Sequence, residues 1–180
     1  KIESDLIKYG KKVSSLFKTV MYSNLCYLFF AVGDYKKALK YNNLIINNES
    51  ASFRSDIFRF ARIMNLLIHF ELNDKHSIEY FYESSKRFIN KQSSIYAFEA
   101  WFISFFKQLI KLKNDDYNSF FKEKEIELIK VLLDKSERKV ISHFNILVWI
   151  RTKHEVISFE DGIKDFMDMK FEDYANYRMS

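Results

Sequence analysis

Residues 25–46, with the sequence LCYLFFAVGDYKKALKYNNLII, decide the fold of this chain. An apolar run ends at Gly33-Asp34, and an amphipathic pattern starts at once with Tyr35. Glycine suits a tight turn, and the Asp34 carboxylate can accept hydrogen bonds from the first free amides of a following helix. The stretch therefore predicts two helices joined by a very short turn, with Asp34 as the N-cap of the second helix.

Composition indicates that the rest of the chain is helical as well. The 180 residues include no proline and only three glycines, whereas average usage would give about nine prolines. Both residue types interrupt helices, so their scarcity predicts helices joined by short polar loops. Aromatic residues make up 18% of the chain, and they recur at spacings of three and four rather than two. This spacing favours helix over strand.

Hydrophobic residues at these spacings predict helices along almost the whole chain. The predicted segments are 2–9, 13–32, 35–46, 53–72, 75–90, 95–112, 117–133, 140–150 and 159–167. Ser52 or Ser55 is the candidate cap of the fourth segment, and no element is assigned from Lys170 onward. The longest apolar run, 25–32, is too short for a membrane span, which needs about 20 residues.

Three similar turns divide these helices into pairs. Each turn ends an apolar helix and opens an amphipathic one, at spacings of 40 and 42 residues: Gly33-Asp34, Asn73-Asp74 and Asp115-Asp116. One hairpin cannot bury both faces of its helices, so stacked hairpins would supply the core. We predict a single domain over 1–180 with units at approximately 13–48, 53–91, 95–133 and 137–168. The last unit departs from the pattern, as a terminal cap does.

The residues Gly33, Tyr35 and Ala38 resemble the middle of a tetratricopeptide repeat. In that family a Gly-Asp-Tyr or Gly-Asn-Tyr turn joins two helices, and an alanine lets the second helix pack closely. Asn42 stands where the family prefers an aromatic residue, and the period of about 40 exceeds the family's 34. The resemblance implies an all-α helix-hairpin solenoid, a tetratricopeptide-like superhelix of about seven to nine helices in three to four units.

The same resemblance implies a concave face that binds a protein or peptide. We therefore expect a non-catalytic, cytoplasmic protein-interaction scaffold, and the start at Lys1 is compatible with the C-terminal part of a longer chain. The alternatives are a helical regulatory domain, either a peptide sensor or a nucleic-acid-associated regulator, and a structural homo-oligomer such as a homodimer. The net charge of +5 is spread among interspersed acidic and basic residues, which disfavours a nucleic-acid partner.

No catalytic, cofactor-binding or metal-binding pattern is predicted. His154-Glu155 begins like the helix motif of zinc proteases, but Ser158 stands where a second histidine is needed, so we expect a surface loop there. Asp115-Asp116 is better explained as a capping turn than as a metal site. Cys26 is the only cysteine, which excludes an internal disulfide and predicts a small buried core residue in a reducing compartment. We expect no enzyme activity and no cofactor.

The predicted partner-binding residues form a polar stripe on the helix that starts near residue 53: Arg59, Arg62, Asn65 and His69. Their spacing of three, three and four places them on one helix face. Two arginines and an amide could bind acidic side chains or a terminal carboxylate. Two alternatives are a solvated helix face and internal ion pairs. The register of the tetratricopeptide family would instead direct Ile63 and Leu67 toward the groove.

The helix at 95–112 offers an apolar alternative for binding. Its aromatic residues almost surround it: Tyr96, Trp101, Phe102, Phe105 and Phe106. A helix that is apolar on all sides is normally buried, so most of these rings are expected in the core. An edge left open would be a groove for an amphipathic helix or a homodimer face.

Overall fold

A computed structural model describes residues 14–47, 55–113 and 116–180 of the chain. In these residues there are nine α-helices, one 3-10 helix and no strand. The elements are α1 (Ser15–Ala31), α2 (Tyr35–Ile46), α3 (Ser55–Glu71), α4 (Ile78–Asn90), α5 (Ala97–Leu109), α6 (Tyr117–Leu132), the 3-10 helix (Glu137–Ser142), α7 (Ile146–Arg151), α8 (Phe159–Met167) and α9 (Phe171–Met179). The prediction of an all-α fold of consecutively packed helices is confirmed.

Some predicted features lie outside the described residues. These are the helix at 2–9, the candidate cap Ser52 and the turn residue Asp115. No helix in the described ranges is long and apolar enough to cross a membrane. The chain divides into two compact units, Lys1–Phe81 and Tyr82–Ser180, and the boundary falls within α4.

The first unit contains the hairpin that the opening stretch predicts. α1 packs against α2, and α2 packs against α3. Gly33 has a φ of +78° in the turn, and the Asp34 side chain accepts a hydrogen bond of 3.1 Å from the Lys37 amide. Ala38 is fully buried against the neighbouring helices. The predicted turn and the predicted N-cap are both confirmed.

The second predicted turn is built in the same way. Asn73 has a φ of +53°, in the left-handed region that asparagine tolerates better than most residues. Asp74 Oδ1 accepts a hydrogen bond of 3.2 Å from the Ser77 amide. α4 starts at Ile78 rather than at Lys75, because residues 75–77 form a further turn before the helix begins.

A polar bridge crosses the core of the first unit. Asn42 is buried, and its Nδ2 donates to the Ala61 carbonyl at 3.0 Å and lies 3.4 Å from Asn65 Oδ1. The Cys26 thiol lies 3.9 Å from Asn42 Oδ1. Cys26 is buried as predicted, and burial raises the pKa of its thiol to about 12. The thiol therefore stays protonated and unreactive at neutral pH.

The second unit is built around aromatic rings. α5 packs on α6, α6 on α7, α7 on α8, and α9 returns to α6. The α5 rings Phe98, Phe102, Phe105 and Phe106 are all buried, and Phe105 meets Trp149 edge-on at 6.2 Å. Most of the aromatic residues predicted as core are therefore core. Tyr96 is exposed, and Trp101 is half-buried with its Nε1 donating to Glu127 Oε2 at 3.2 Å.

The prediction of one helix at 140–150 is wrong. The chain forms the 3-10 helix, turns, and starts again as α7. The Asn145 side chain accepts a hydrogen bond of 3.2 Å from the Val148 amide, and this cap begins a new helix where the apolar pattern alone suggested continuity. At Gly162 in α8, a Cβ atom would lie 2.7 Å from Val148 Cγ1, so glycine permits the close approach of α7 and α8.

Candidate functional site

The predicted stripe on α3 does not face solvent. The exposed fractions of Arg59, Asn65 and His69 are 9%, 2% and 6%, and Arg62 is half-buried. The alternative of a solvated helix face is therefore wrong for three of the four residues. Ile63 and Leu67, which the tetratricopeptide register would direct toward a groove, are buried as well.

His69 is held within the first unit by two contacts. Its Nδ1 donates to Asp74 Oδ2 at 3.0 Å, and its ring stacks on Phe81 with the centroids 4.2 Å apart. The other ring nitrogen, Nε2, is buried and has no hydrogen-bond partner among the described residues. Because a carboxylate oxygen only accepts hydrogen bonds, this contact places a proton on Nδ1. Partner binding by the stripe stays a prediction.

In the second unit, Glu125 of α6 is the centre of a group of charged and polar side chains. It is 2% exposed, and its two carboxylate oxygens accept hydrogen bonds from three other residues. His154 Nε2 donates to Oε2 at 2.8 Å, and the Tyr174 hydroxyl donates to Oε1 at 3.0 Å. Arg178 donates through Nε to Oε1 and through Nη2 to Oε2, both at 2.7 Å. This forked pair is the strongest geometry for an arginine and a carboxylate.

Further ion pairs extend from Arg178 toward α7 and α8. Arg178 Nη2 also contacts Glu155 Oε1 at 2.5 Å. Glu155 Oε2 in turn accepts from Arg151 Nε at 2.6 Å, and Arg151 Nη2 lies 3.0 Å from Asp165 Oδ2. We call this set the Glu125 cluster: Glu125, Arg151, His154, Glu155, Asp165, Tyr174 and Arg178. Opposite charges alternate through the cluster, which joins four helices of one unit.

The electrostatics of the Glu125 cluster keep its ion pairs charged at neutral pH. Burial acts to raise the pKa of Glu125, but the hydrogen bonds from His154 and Arg178 outweigh burial and lower it. Burial likewise acts to lower the pKa of Arg178, but the hydrogen bonds that Arg178 donates to Glu125 and Glu155 raise it instead. Burial and the Glu125 charge raise the pKa of Tyr174, so its hydroxyl remains a donor.

Helical spacing explains how short segments supply these groups. Tyr174 and Arg178 are four residues apart on α9 and therefore share one face. Arg151, the last residue of α7, reaches Glu155 four residues later, and His154 lies in the turn between them. Only 4% of the His154 side chain is exposed, so the expectation of a surface loop is wrong for this side chain. Ser158, where the zinc-protease motif needs histidine, caps α8 by accepting from the Asp161 amide at 3.0 Å.

An open cleft of about 550 Å³ lies between α6 and the end of α9, with four members of the Glu125 cluster in its floor: Glu125, His154, Glu155 and Arg178. Its rim carries polar and apolar side chains: Asn118, Lys122, Ile126, Tyr177 and Met179. Asn118 Nδ2 donates to the His154 carbonyl at 3.0 Å and ties the rim to the floor. We call this feature the α6–α9 cleft. The cleft is open to solvent and offers both polar and apolar contacts to a ligand.

Three members of the cluster are also potential metal ligands. Glu125, His154 and Glu155 offer one ligand atom each, and these atoms lie within 4.8 Å of one another. Carboxylate oxygen and imidazole nitrogen are common zinc ligands. Sequence reasoning missed this arrangement because Glu125 and His154 are 29 residues apart, a separation that matches no local metal-binding motif.

Comparisons with models of protein families, with curated proteins and with solved structures found no match to this chain.

Proposed function

We propose that this chain is a non-catalytic, tetratricopeptide-like scaffold that binds a peptide or protein segment in the α6–α9 cleft. The observation that carries the proposal is the cleft itself, which combines an accessible rim of polar and apolar side chains with a polar floor held by hydrogen bonds. Consecutively packed helices, as in this chain, are the architecture on which helical repeat proteins build such surfaces.

The lining of the α6–α9 cleft suits a short peptide. Ile126, Tyr177 and Met179 offer apolar contact, while Asn118 and Lys122 offer hydrogen-bond donors at the rim. The floor is held by hydrogen bonds within the Glu125 cluster, so little ordering of the protein is required when a ligand enters. Such preorganisation raises affinity because less conformational entropy is lost on binding.

The chemistry of the floor supports a binding role over a catalytic one. Hydrogen bonds from His154 and Arg178 lower the pKa of Glu125 below its ordinary range. A carboxyl group with a lowered pKa is a weak general base and is not protonated at neutral pH, so it is poorly matched to proton transfer there. The proposal places the chain in the cytoplasm, where a free thiol such as Cys26 stays reduced.

The proposal is tested by selecting peptides from a displayed library on the intact chain and measuring their dissociation constants by fluorescence anisotropy. Tyr177→Ala should weaken a selected peptide at least tenfold, because exposed tyrosines at binding sites often dominate the binding energy. Tyr80→Ala is the matched control, since Tyr80 is 67% exposed and Tyr177 69%, and Tyr80 does not line the cleft. This control should change the affinity less than about twofold.

Three outcomes would contradict the proposal. If Tyr177→Ala and Tyr80→Ala bound the selected peptide with equal affinity, the α6–α9 cleft would not be the binding site. Selection of no peptide, together with a dimer in light scattering, would favour the structural homo-oligomer. Recovery of nucleic acid with a steep salt dependence would favour the regulator associated with nucleic acid.

A further inference from the structure

We propose that Glu125, His154 and Glu155 form a site for a divalent transition-metal ion such as zinc, and that the metal and the Arg178 guanidinium compete for one position between the two carboxylates. This inference does not depend on the proposed peptide-binding function.

The geometry shows that the position between the carboxylates is suited to a cation. Arg178 Nη2 lies 2.7 Å from Glu125 Oε2 and 2.5 Å from Glu155 Oε1, and so bridges both groups. His154 Nε2 lies 2.8 Å from the same Glu125 oxygen. A metal at this position would draw the ligand atoms in from their present separations of up to 4.8 Å, since donors in a tetrahedral zinc site lie about 3.3 Å apart.

The donor set matches the chemistry of zinc. Two carboxylate oxygens and one imidazole nitrogen are a three-ligand set of the kind that leaves a fourth position for water, which the adjoining α6–α9 cleft can supply. His154 Nε2 now donates to Glu125 and therefore carries a proton. Coordination needs the lone pair of this nitrogen, so metal binding moves or releases that proton.

The charge balance also favours exchange of the two cations. Arg178 supplies one positive charge to two carboxylates, and a divalent ion would supply two. The other charged groups of the cluster are already paired with one another, since Arg151 binds both Glu155 and Asp165. A metal at the Arg178 position would therefore neutralise Glu125 and Glu155 and would leave the pairs of Arg151 with Glu155 and Asp165 in place.

Metal binding would weaken the attachment of α9. Tyr174 and Arg178 both reach Glu125 from this helix, and of its nine residues only Tyr174 and Ala175 are buried. Two contacts nearer its start would remain. Arg138 pairs with Glu172 at 2.7 Å and lies over the Phe171 ring, and the Phe166 ring of α8 meets Tyr174 edge-on at 5.0 Å. A metal that takes Glu125 from Arg178 thus promotes release of the C-terminal end of α9.

The test is titration of the intact chain with zinc chloride by calorimetry, and with cobalt(II) by visible absorption. We expect one ion per chain and a cobalt spectrum of a four-coordinate site. His154→Asn should lower the affinity at least tenfold, whereas His76→Asn, an exposed histidine outside the cluster, should leave it unchanged. Arg178→Gln should raise the affinity about tenfold, because it removes the competing cation.

Release of the C-terminal end of α9 is followed by trypsin cleavage after Arg178, whose side chain is 14% exposed in the cluster, with the products identified by mass spectrometry. Zinc should accelerate this cleavage in the unmodified chain but not in His154→Asn. The proposed metal site would be disproved if the unmodified chain and His154→Asn bound zinc with equal affinity. It would also be disproved if neither the unmodified chain nor Arg178→Gln bound zinc. The competition between zinc and Arg178 would be overturned by two results together. Zinc would bind at this site without changing the rate of cleavage, and Arg178→Gln would bind zinc with the same affinity as the unmodified chain.

Discussion

Gly33 is the residue on which the first hairpin depends. Its φ of +78° lies in the left-handed region, and an added Cβ would have no atom within 4 Å. A side chain at this position therefore meets no steric clash, and any loss of stability comes from the backbone alone. Residues other than glycine adopt this conformation at a cost of about 1 kcal/mol.

We expect Gly33→Ala to lower the free energy of unfolding by about 1 kcal/mol, measured by urea denaturation. Gly33→Asn should lose less, because asparagine tolerates the left-handed region, as Asn73 does at +53° in the next turn. Equal stability of Gly33→Ala and the unmodified chain would show that the turn does not constrain the fold.

Turn residues were predictable from the sequence because their chemistry is local. Gly33 and Asp34 need only their own neighbours to form a turn and a cap. The burial of Arg59 and His69 was not predictable, because helical spacing shows which residues share a face but not what that face packs against. The role of Glu125 was not predictable from the sequence either, since each of its hydrogen-bond partners lies at least 29 residues away along the chain.

At the scale of elements, the Glu125 cluster is what attaches α9 to α6. Glu125→Gln removes the charge that accepts hydrogen bonds from His154, Tyr174 and Arg178, while Arg178 keeps its contact with Glu155. Loss of such charged hydrogen bonds costs about 2 kcal/mol. We expect Glu125→Gln to lower the free energy of unfolding by about that amount in urea. Glu123→Gln is the control on the same helix, because the Glu123 side chain is 66% exposed and exposed ion pairs contribute little.

The same variant should change how stability depends on pH. The folded chain holds the pKa of Glu125 below its ordinary value, so the unfolded chain binds more protons in that range and stability rises with pH. The contribution of Glu125 is therefore complete above about pH 5 and is lost as the pH falls below about 4. The free energy of unfolding, measured by urea denaturation at several pH values across this range, should change less with pH for Glu125→Gln than for the unmodified chain. Parallel curves would contradict the assigned role.

Elements with a strong apolar period were predictable, and weakly patterned ones were not. The segment at 159–167 coincides with α8. Residues 144–150 are apolar except for Asn145, so the apolar pattern did not show that a new helix begins there. The Asn145 side chain caps α7 and thereby sets where that helix begins. α9 buries two residues only, so its attachment through Tyr174 and Arg178 left no hydrophobic pattern to detect.

For the whole molecule, charge separates the two main functional hypotheses. The net charge is +5, but basic residues of the second unit such as Arg138, Arg151 and Arg178 pair with acidic ones. A peptide bound mainly through apolar contacts should lose less than about threefold in affinity between low and physiological salt. Contacts to nucleic-acid phosphates would lose orders of magnitude over the same interval. Anisotropy titrations at two salt concentrations decide between these outcomes.

Trp101 and Trp149 are the two tryptophans of the chain, and both lie in the unit Tyr82–Ser180. Intrinsic tryptophan fluorescence therefore reports on that unit alone, whereas far-ultraviolet circular dichroism follows the helices of both units. If the two optical transitions coincide during denaturation, the units unfold as one cooperative system. If they separate, the fluorescence curve gives the stability of the Tyr82–Ser180 unit without any added label.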